Sequence, residues 1–313
     1  MASKSSSELR YDGRVVIITG AGAGMGREHA LLFSKRGASV VLNDLSDEGV
    51  QTTKRMIEDA GGKAIAVQGS VGDQQVLQRI VDSAIGAHGR IDVLINNAGL
   101  EIKKHFDEFT PTELALVFDV HFFGSWNLTK LVWPFMQRQS YGKVIMVCSC
   151  SIYGMPQNAA YVSAKAALLG LAKSLAYEGR ESNIYVNALA PVAFTNLARQ
   201  MLTDESTWAN AAENYPAWAV SPVCCWLAHE DCSLRGEIVS SWGRNFGKLF
   251  IGETLGIHVS GDYSIESVQD GWDKASSEEG YFTAKDVMEQ NAILEQSRAG
   301  GSGQRNNATN GFE

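Results

Sequence analysis

Tyr161 and Lys165 stand four residues apart in Tyr-Val-Ser-Ala-Lys, and Ser149 precedes the tyrosine by twelve residues. Four residues make about one helical turn, so a helix here sets the ammonium beside the phenol on one face, where it favours the ionised phenol. A phenol so placed can exchange a proton with an alcohol or carbonyl oxygen near neutral pH. A solvated Tyr and Lys on any helix show the same spacing, so the chemistry must be judged with the elements that position it.

A second group of residues suits an anionic dinucleotide. The apolar run Val15 to Thr19 ends in Gly20-Ala21-Gly22-Ala23-Gly24-Met25-Gly26 and leads into an amphipathic segment, while Asp44 closes the next apolar run. Glycines let the backbone approach a pyrophosphate, and a helix N-terminus offers unpaired N–H groups to it. An acid at the end of the second strand accepts the ribose hydroxyls of an adenosine and repels a 2′-phosphate, which favours NAD over NADP.

Positioning these groups requires a sheet. Short β-branched runs at Val15 to Thr19, Ser39 to Asn43, Ala64 to Val67, Asp92 to Ile95, Lys143 to Val147, Ile184 to Leu189 and Glu237 to Ser240 alternate with helical patterns such as Gly24 to Lys35 and Pro111 to Gln137. Seven strands in βαβ order predict an α/β Rossmann fold, a doubly wound seven-stranded parallel sheet, over residues 10–245. Between Ala193 and Val220 the rhythm breaks. Leu197, Met201, Leu202, Trp208, Tyr215 and Trp218 follow the sixth strand, where open α/β sheets bind ligands, and read either as a substrate lid or as a helical cover of the sheet. Residues 246–295 form a C-terminal helical extension with helices expected at Ile265 to Ala275 and Ala284 to Leu294. The extension is read as a dimer contact or an active-site cover. Residues 1–9 and 300–313 are Ser-, Gly- and Asn-rich and expected to be disordered.

Composition narrows the function. A formal net charge of -8 leaves no basic face for nucleic acid, so a small-molecule substrate is the expected partner. Cysteines at 148, 150, 224, 225 and 232 lack paired spacing, which points to reduced thiols and no metal site. There is no apolar leader and no apolar run of membrane-spanning length, so the expected place is the cytoplasm.

The residues resemble the short-chain dehydrogenase/reductase family. Gly20, Gly24 and Gly26 match its TGxxxGxG turn, Asn96-Asn97-Ala98-Gly99 its NNAG motif, and Ser149, Tyr161 and Lys165 its catalytic set. The resemblance implies that Tyr161 is the general acid/base, that Lys165 lowers its pKa and binds the nicotinamide ribose, and that Ser149 holds the substrate oxygen. It also implies that Gly20, Gly24, Met25, Gly26, Asp44, Val71, Asn97, Ala98, Gly99, Val192 and Thr195 bind NAD. Ser151, Trp208 and Tyr215 are expected against the substrate. Tyr11-Asp12-Gly13-Arg14, Val120-His121, Tyr177-Glu178-Gly179-Arg180 and Gly247-Lys248-Leu249 are similar to the (3R)-hydroxyacyl-CoA dehydrogenase subfamily of peroxisomal multifunctional enzymes, also called 17β-hydroxysteroid dehydrogenases of type 4. That similarity implies a homodimer, with a tetramer as the larger form, and a 3-hydroxyacyl thioester as substrate. The rival substrate is a bulky steroid, terpenoid or polyketide alcohol. A nucleotide-binding protein without turnover is the more distant rival.

Three departures from the family pattern are visible. His121 replaces the usual Asn and is either a relay participant or a polar group satisfied in packing. Pro191-Val192 replaces Pro-Gly. The family's thirteen-residue spacing to Tyr161 falls on Cys148, and Ser149 is preferred as the better hydrogen-bond donor. The end Gly311-Phe312-Glu313 carries no Ser-Lys-Leu address, although the resemblance points to peroxisomal relatives.

Overall fold

Runs of valine and isoleucine set the strands of the computed structural model, which describes residues 8–201, 204–261 and 263–299. Strands β1 (Val15–Thr19), β2 (Ser39–Asp44), β3 (Lys63–Gln68), β4 (Val93–Asn96), β5 (Gly142–Val147), β6 (Ile184–Val192), β7 (Ile238–Trp242) and β8 (Asn245–Leu249) form one sheet in the order β3-β2-β1-β4-β5-β6-β7-β8. Seven strands are parallel. The eighth corrects the expected seven-stranded sheet: β8 runs antiparallel to β7 through a tight turn opened by Gly243 at φ 55°. It adds a new edge strand beyond β7, and the first compact unit runs through Leu249.

Helices α1 (Gly24–Lys35), α2 (Asp47–Asp59), α3 (Gln74–His88), α4 (Pro111–Phe118), α5 (Gly124–Gln139), α6 (Ala159–Glu178), α7 (Asn196–Met201), α8 (Trp208–Asn214) and α9 (Ser221–Ala228) alternate with the strands. Their apolar stripes cover both faces of the sheet. Val15 and Ile17 join Val81, Leu128 and Leu168 on the α3, α5 and α6 side, whereas Val16 and Ile18 join Phe33, Val50 and Leu227 on the α1, α2 and α9 side. This is strand alternation with two buried faces, and each such side chain contributes roughly 1.5–3 kcal/mol of burial.

The order reverses between β1 and β4, so the loops beyond their carboxyl ends part and leave a crevice. Two local signals shape it. Helix α1 has no side-chain cap and no acid in its first turn, which leaves its N-terminal N–H groups open to an anion. The segment read as one helix from Pro111 to Gln137 is broken at Asp119–Phe123 by a π-turn, whose wider ring turns His121 inward. A polar ladder holds that turn: the Asn96 amide donates to Thr129, Thr129 to the Ser125 carbonyl and Ser125 to the His121 carbonyl.

The second unit begins at Phe250. It contains α10 (Ile265–Ala275), opened by a Ser264 capping box, and α11 (Val287–Ala299). The latter starts later than the expected Ala284, because the Asp286 carboxylate accepts from the Met288 and Glu289 amides and caps it there. Glu253 pairs with Phe282, and Phe250 stacks on Tyr281 with ring centroids 5.8 Å apart. Of the segments expected to be disordered, 1–7 and 300–313 lie outside the described residues, as does Leu202 of the expected lid. Glu8 and Leu9 are instead tied to the Arg36 guanidinium. No described helix is long and apolar enough to cross a membrane.

Buried histidines make stability depend on pH, and His29 is one of them. His29 on α1 is fully buried, with Nδ1 at 2.8 Å from Ser221 Oγ, and burial pushes its pKa down to about 3 from 6.5. Between those values the unfolded chain binds a proton that the folded chain refuses, so stability falls as pH drops below about 6.5. Urea titrations at pH 7 and pH 5 should show that loss, and His29→Gln should shrink it. An equal pH dependence in the variant would remove His29 as its source.

Candidate active site

Residues from five elements meet around a cavity of about 630 Å³ in the first unit. One end is the glycine turn after β1. Gly20 sits at φ 66°, and a Cβ there would stand 2.9 Å from Ala98 Cα; a Cβ on Gly26 would collide with the Gly20 carbonyl oxygen and stand 2.6 Å from Asn97 Nδ2. These contacts leave glycine as the only residue that keeps the turn closed against the β4 loop. The Asn97 amide donates to the carbonyls of Thr19 and Gly20, while the Asn97 and Ala98 backbone N–H groups donate to Thr19 Oγ1. Asn97 thus braces the turn as well as lining the cavity.

Asp44 closes this end. Its Oδ2 accepts from the Gly22 N–H at 2.8 Å and its Oδ1 from the Ser46 N–H at 2.9 Å, which fixes the carboxylate in the cavity wall with lone pairs left over. Gly24, Met25, Gly99, Val192 and Thr195 line the same wall. Val71 and Ala98 do not. Val71 is buried and packs against Gly124 at the start of α5.

At the other end Tyr161, in the first turn of α6, is 6% exposed and Lys165, one turn on, is 4% exposed. Ser149, directly after β5, reaches the Tyr161 hydroxyl through its side chain and lines the cavity. Cys148 also lines the cavity, but its thiol is engaged elsewhere. Its Sγ donates to the Leu189 carbonyl and burial pushes the thiol up to about 12, so Ser149 is the side chain brought to the phenol.

Lys165 Nζ donates to the Val147 carbonyl at 2.7 Å and lies 5.7 Å from the Tyr161 ring centroid. With the ammonium held there, burial dominates and pushes Tyr161 up to about 12, opposed by the Ser149 hydrogen bond and aided by the Glu101 carboxylate. Lys165, also buried, is pushed down to about 8. The phenol is therefore a neutral proton donor in this arrangement.

His121 stands edge-on to Tyr161 with ring centroids 5.2 Å apart. Its Nε2 lies 2.7 Å from the Leu100 carbonyl oxygen and 3.2 Å from the Leu100 amide nitrogen, and burial with the nearby Lys165 charge pushes its pKa down to about 3, so the ring is neutral. Gly99 has to be glycine here, since a Cβ would stand 2.6 Å from His121 Cε1.

The segment from Ala193 to Val220 folds over the cavity mouth as α7, α8 and short 3-10 turns, pinned by the Phe194 N–H donating to the Tyr215 carbonyl at 2.7 Å. Tyr215 lines the cavity; Trp208 and Ser151 do not. Trp208 packs on Phe194 and the Arg199 guanidinium, and Ser151 donates its backbone N–H to Ser149 Oγ, which braces the serine from behind. Sequence reasoning placed Leu197 in the lid but passed over Met155, Phe194, Asn210 and Ala211, which also line the cavity. Their place beyond the ends of β5 and β6 was the available signal. It also passed over Glu101, whose carboxylate oxygens are buried with no hydrogen-bond partner among the described residues.

Comparison with known proteins agrees with this architecture. The short chain dehydrogenase model matches residues 14–206. Peroxisomal multifunctional enzyme type 2 of Mus musculus is 36% identical over 285 residues, covering 86% of this chain and 37% of that protein. The structure of the full-length enzyme of that name from Drosophila melanogaster matches at a TM-score of 0.78 and 31% identity, over 93% of this chain and 51% of that one. The chain thus spans about half or less of these multifunctional relatives. A 7α-hydroxysteroid dehydrogenase, solved with NADH and 7-oxo glycochenodeoxycholic acid, matches at a TM-score of 0.69 and 30% identity over 75% of this chain and 95% of that one. The chain belongs to the short-chain dehydrogenase/reductase family, nicotinamide-dependent oxidoreductases that act on CH–OH groups.

Proposed function

We propose that this protein is an NAD(H)-dependent dehydrogenase that interconverts a secondary alcohol and a ketone, with a 3-hydroxyacyl thioester as the first substrate. The convergence of Ser149, Tyr161 and Lys165 on one cavity whose far wall carries Asp44 is the observation that carries this reading. The residues fit a nicotinamide dinucleotide: the glycines let the turn after β1 close tightly against the β4 loop, the N–H groups at the start of α1 have no side-chain cap and suit an anion, and Asp44 offers a fixed carboxylate to a ribose diol. When bound, the nicotinamide ring accepts or gives the hydride.

The chain's own groups handle the proton. In the reducing direction Tyr161 gives its hydroxyl proton to the carbonyl oxygen as that oxygen becomes an alkoxide, while Ser149 donates a hydrogen bond to the same oxygen. In the oxidising direction the phenolate takes the alcohol proton. Lys165 holds a positive charge close by that eases this loss, and Tyr161 and Ser149 together orient the carbon for transfer. His121 stays neutral and fixes the Leu100 backbone beside them.

Two features support an anionic acyl thioester: the relatives named as multifunctional enzymes, and Arg199 at the lid, held 5.3 Å and 5.4 Å from the ring centroids of Phe194 and Trp208. The apolar wall of Phe194, Leu197 and Tyr215 favours the second reading, a bulky steroid, terpenoid or polyketide alcohol, which the hydroxysteroid dehydrogenase relative also carries. Following NADH formation with 3-hydroxyacyl-CoA, steroid and terpenoid alcohols decides between them; turnover of none would overturn both. We assign the protein to the cytoplasm and to a homodimer, with the unit after Leu249 as dimer contact or site cover. Imaging of a tagged chain and light scattering with and without that unit test these assignments.

Asp44 sets the cofactor preference. Asp44→Ser removes the carboxylate that repels a 2′-phosphate, and should narrow the NAD-over-NADP ratio of kcat/KM by at least about tenfold. A wild-type enzyme that turns over NADP more efficiently than NAD would sink this assignment.

A further inference from the structure

Arg27 is a cation beside the glycine turn that the mechanism above leaves unused. It follows Gly26 directly on α1 and is half-buried. Its guanidinium spends its donors on neutral groups: Nε donates to Thr53 Oγ1 at 3.0 Å, and Nη2 donates to the Gly22 carbonyl. Among the described residues it makes no ion pair. Thr53, on α2, is fully buried and donates in turn to the Ala21 carbonyl at 2.8 Å.

Two successive carbonyls of the turn are thus held from behind, and each fixes the N–H that follows it. A trans peptide unit points its carbonyl and its N–H in opposite directions, and the described chain contains no cis bond. With the Ala21 carbonyl on Thr53, the Gly22 N–H is sent the other way, where it donates to Asp44 Oδ2 at 2.8 Å. One unit on, the Gly22 carbonyl on Arg27 sends the Ala23 N–H away from the guanidinium. Ala23 is exposed and lines the cavity, and its N–H has no hydrogen-bond acceptor among the described residues. Arginine suits the post because its planar fork reaches two acceptors in fixed directions, whereas an ammonium is a point charge on a flexible stem.

We propose that Arg27 is a positioning residue for the cofactor: by holding the Gly22 carbonyl it fixes the Gly22–Ala23 peptide so that the Ala23 N–H is presented to an anionic oxygen of the dinucleotide. The proposal rests on reading the cavity as a nicotinamide dinucleotide site. It assigns part of the cofactor affinity to a side chain that acts through the backbone, since a donor aligned in advance needs no ordering when the ligand arrives. Asp44 is held through the other peptide, by way of Thr53. Arg27 therefore governs affinity for either cofactor, and Asp44 the choice between them.

The test compares the full chain with R27M and R27K, by calorimetry with NAD and with NADP and by hydrogen exchange of the cofactor-free protein. R27M keeps most of the apolar stem and should raise the Kd for NAD and for NADP by about tenfold or more each, with their ratio moved by less than about threefold. In the absence of cofactor, exchange across residues 20–26 should quicken in R27M while β5 and α6 keep their protection. R27K can hold one of the two acceptors and should bind NAD at least about threefold more tightly than R27M. In turnover the loss should appear in KM for NAD, with kcat at saturating NAD within about twofold of wild type. An unchanged Kd in R27M would overturn the proposal. So would faster exchange throughout the chain with a matching fall in kcat, which would make Arg27 a structural residue, and so would a raised Kd with unchanged exchange at residues 20–26, which would leave only its charge at work. A wild type that binds NAD yet oxidises no alcohol would sink the dehydrogenase reading, while the binding and exchange arms still decide on Arg27; a wild type that binds neither cofactor would overturn both.

Discussion

Tyr161→Phe should lower kcat for alcohol oxidation by about 10³-fold, the usual size of a positioned proton-transfer group, while the Kd for NAD stays within about threefold. The expectation follows from what the hydroxyl does and does not hold. The ring is 6% exposed, packs edge-on against His121 and is unchanged in shape by the substitution, so the fold loses at most the hydroxyl's interaction with Ser149. That loss is worth about 1 kcal/mol. The proton path loses its only hydroxyl of matched reach, since Ser149 without the phenol has no neighbour able to take its proton near neutral pH. Binding of NAD to the variant, measured by calorimetry, together with absorbance of NADH at substrate saturation, checks both halves. Equal turnover in wild type and variant would remove Tyr161 from the chemistry and would restore the non-catalytic nucleotide-binding reading.

The parts of this site that were legible in the sequence are those fixed by local geometry. Four-residue spacing put Tyr161 and Lys165 on one face of α6, and β-branched runs marked the strands that bring Ser149, Asn97 and Asp44 to one edge of the sheet. What was not legible depends on contacts distant in sequence. The π-turn at Asp119–Phe123 keeps an ordinary helical pattern, and only the packing of the following Gly124 against Val71 and the ladder from Asn96 show why the helix widens there. Strand β8 was hidden because Asn245-Phe246-Gly247-Lys248-Leu249 mixes polar residues and a glycine, as edge strands do. Glu101 reads in sequence as one more solvated loop acid, and its burial appears only once Leu100 and Ile102 are drawn into the wall of α4 and α6.

Gly26→Ala should raise the Kd for NAD by about 100-fold or more, through a methyl group that touches no part of the substrate's chemistry. The added Cβ would overlap the Gly20 carbonyl oxygen and crowd Asn97 Nδ2 at 2.6 Å, and both neighbours are constrained. Gly20 lies in the left-handed region at φ 66°, and Asn97 is already bonded to the Thr19 and Gly20 carbonyls, so neither can step aside without opening the turn. Helix α1 has to retreat instead, which takes its uncapped N–H groups away from the pyrophosphate position and adds an overpacking cost of about 1–3 kcal/mol to stability. Gly22→Ala is predicted to act by another route. Its Cβ would stand 2.7 Å from Asp44 Cγ, a side chain that can swing, so that variant should lose the NAD preference while keeping most of its stability. Gly86→Ala serves as the control, since no atom lies within 4 Å of its added Cβ on α3 and a helical Gly-to-Ala exchange stabilises by about 0.5–1 kcal/mol. Calorimetry with NAD and thermal melts of the three variants separate the routes: equal NAD affinity in Gly26→Ala and Gly86→Ala would show that the turn after β1 does not hold the cofactor.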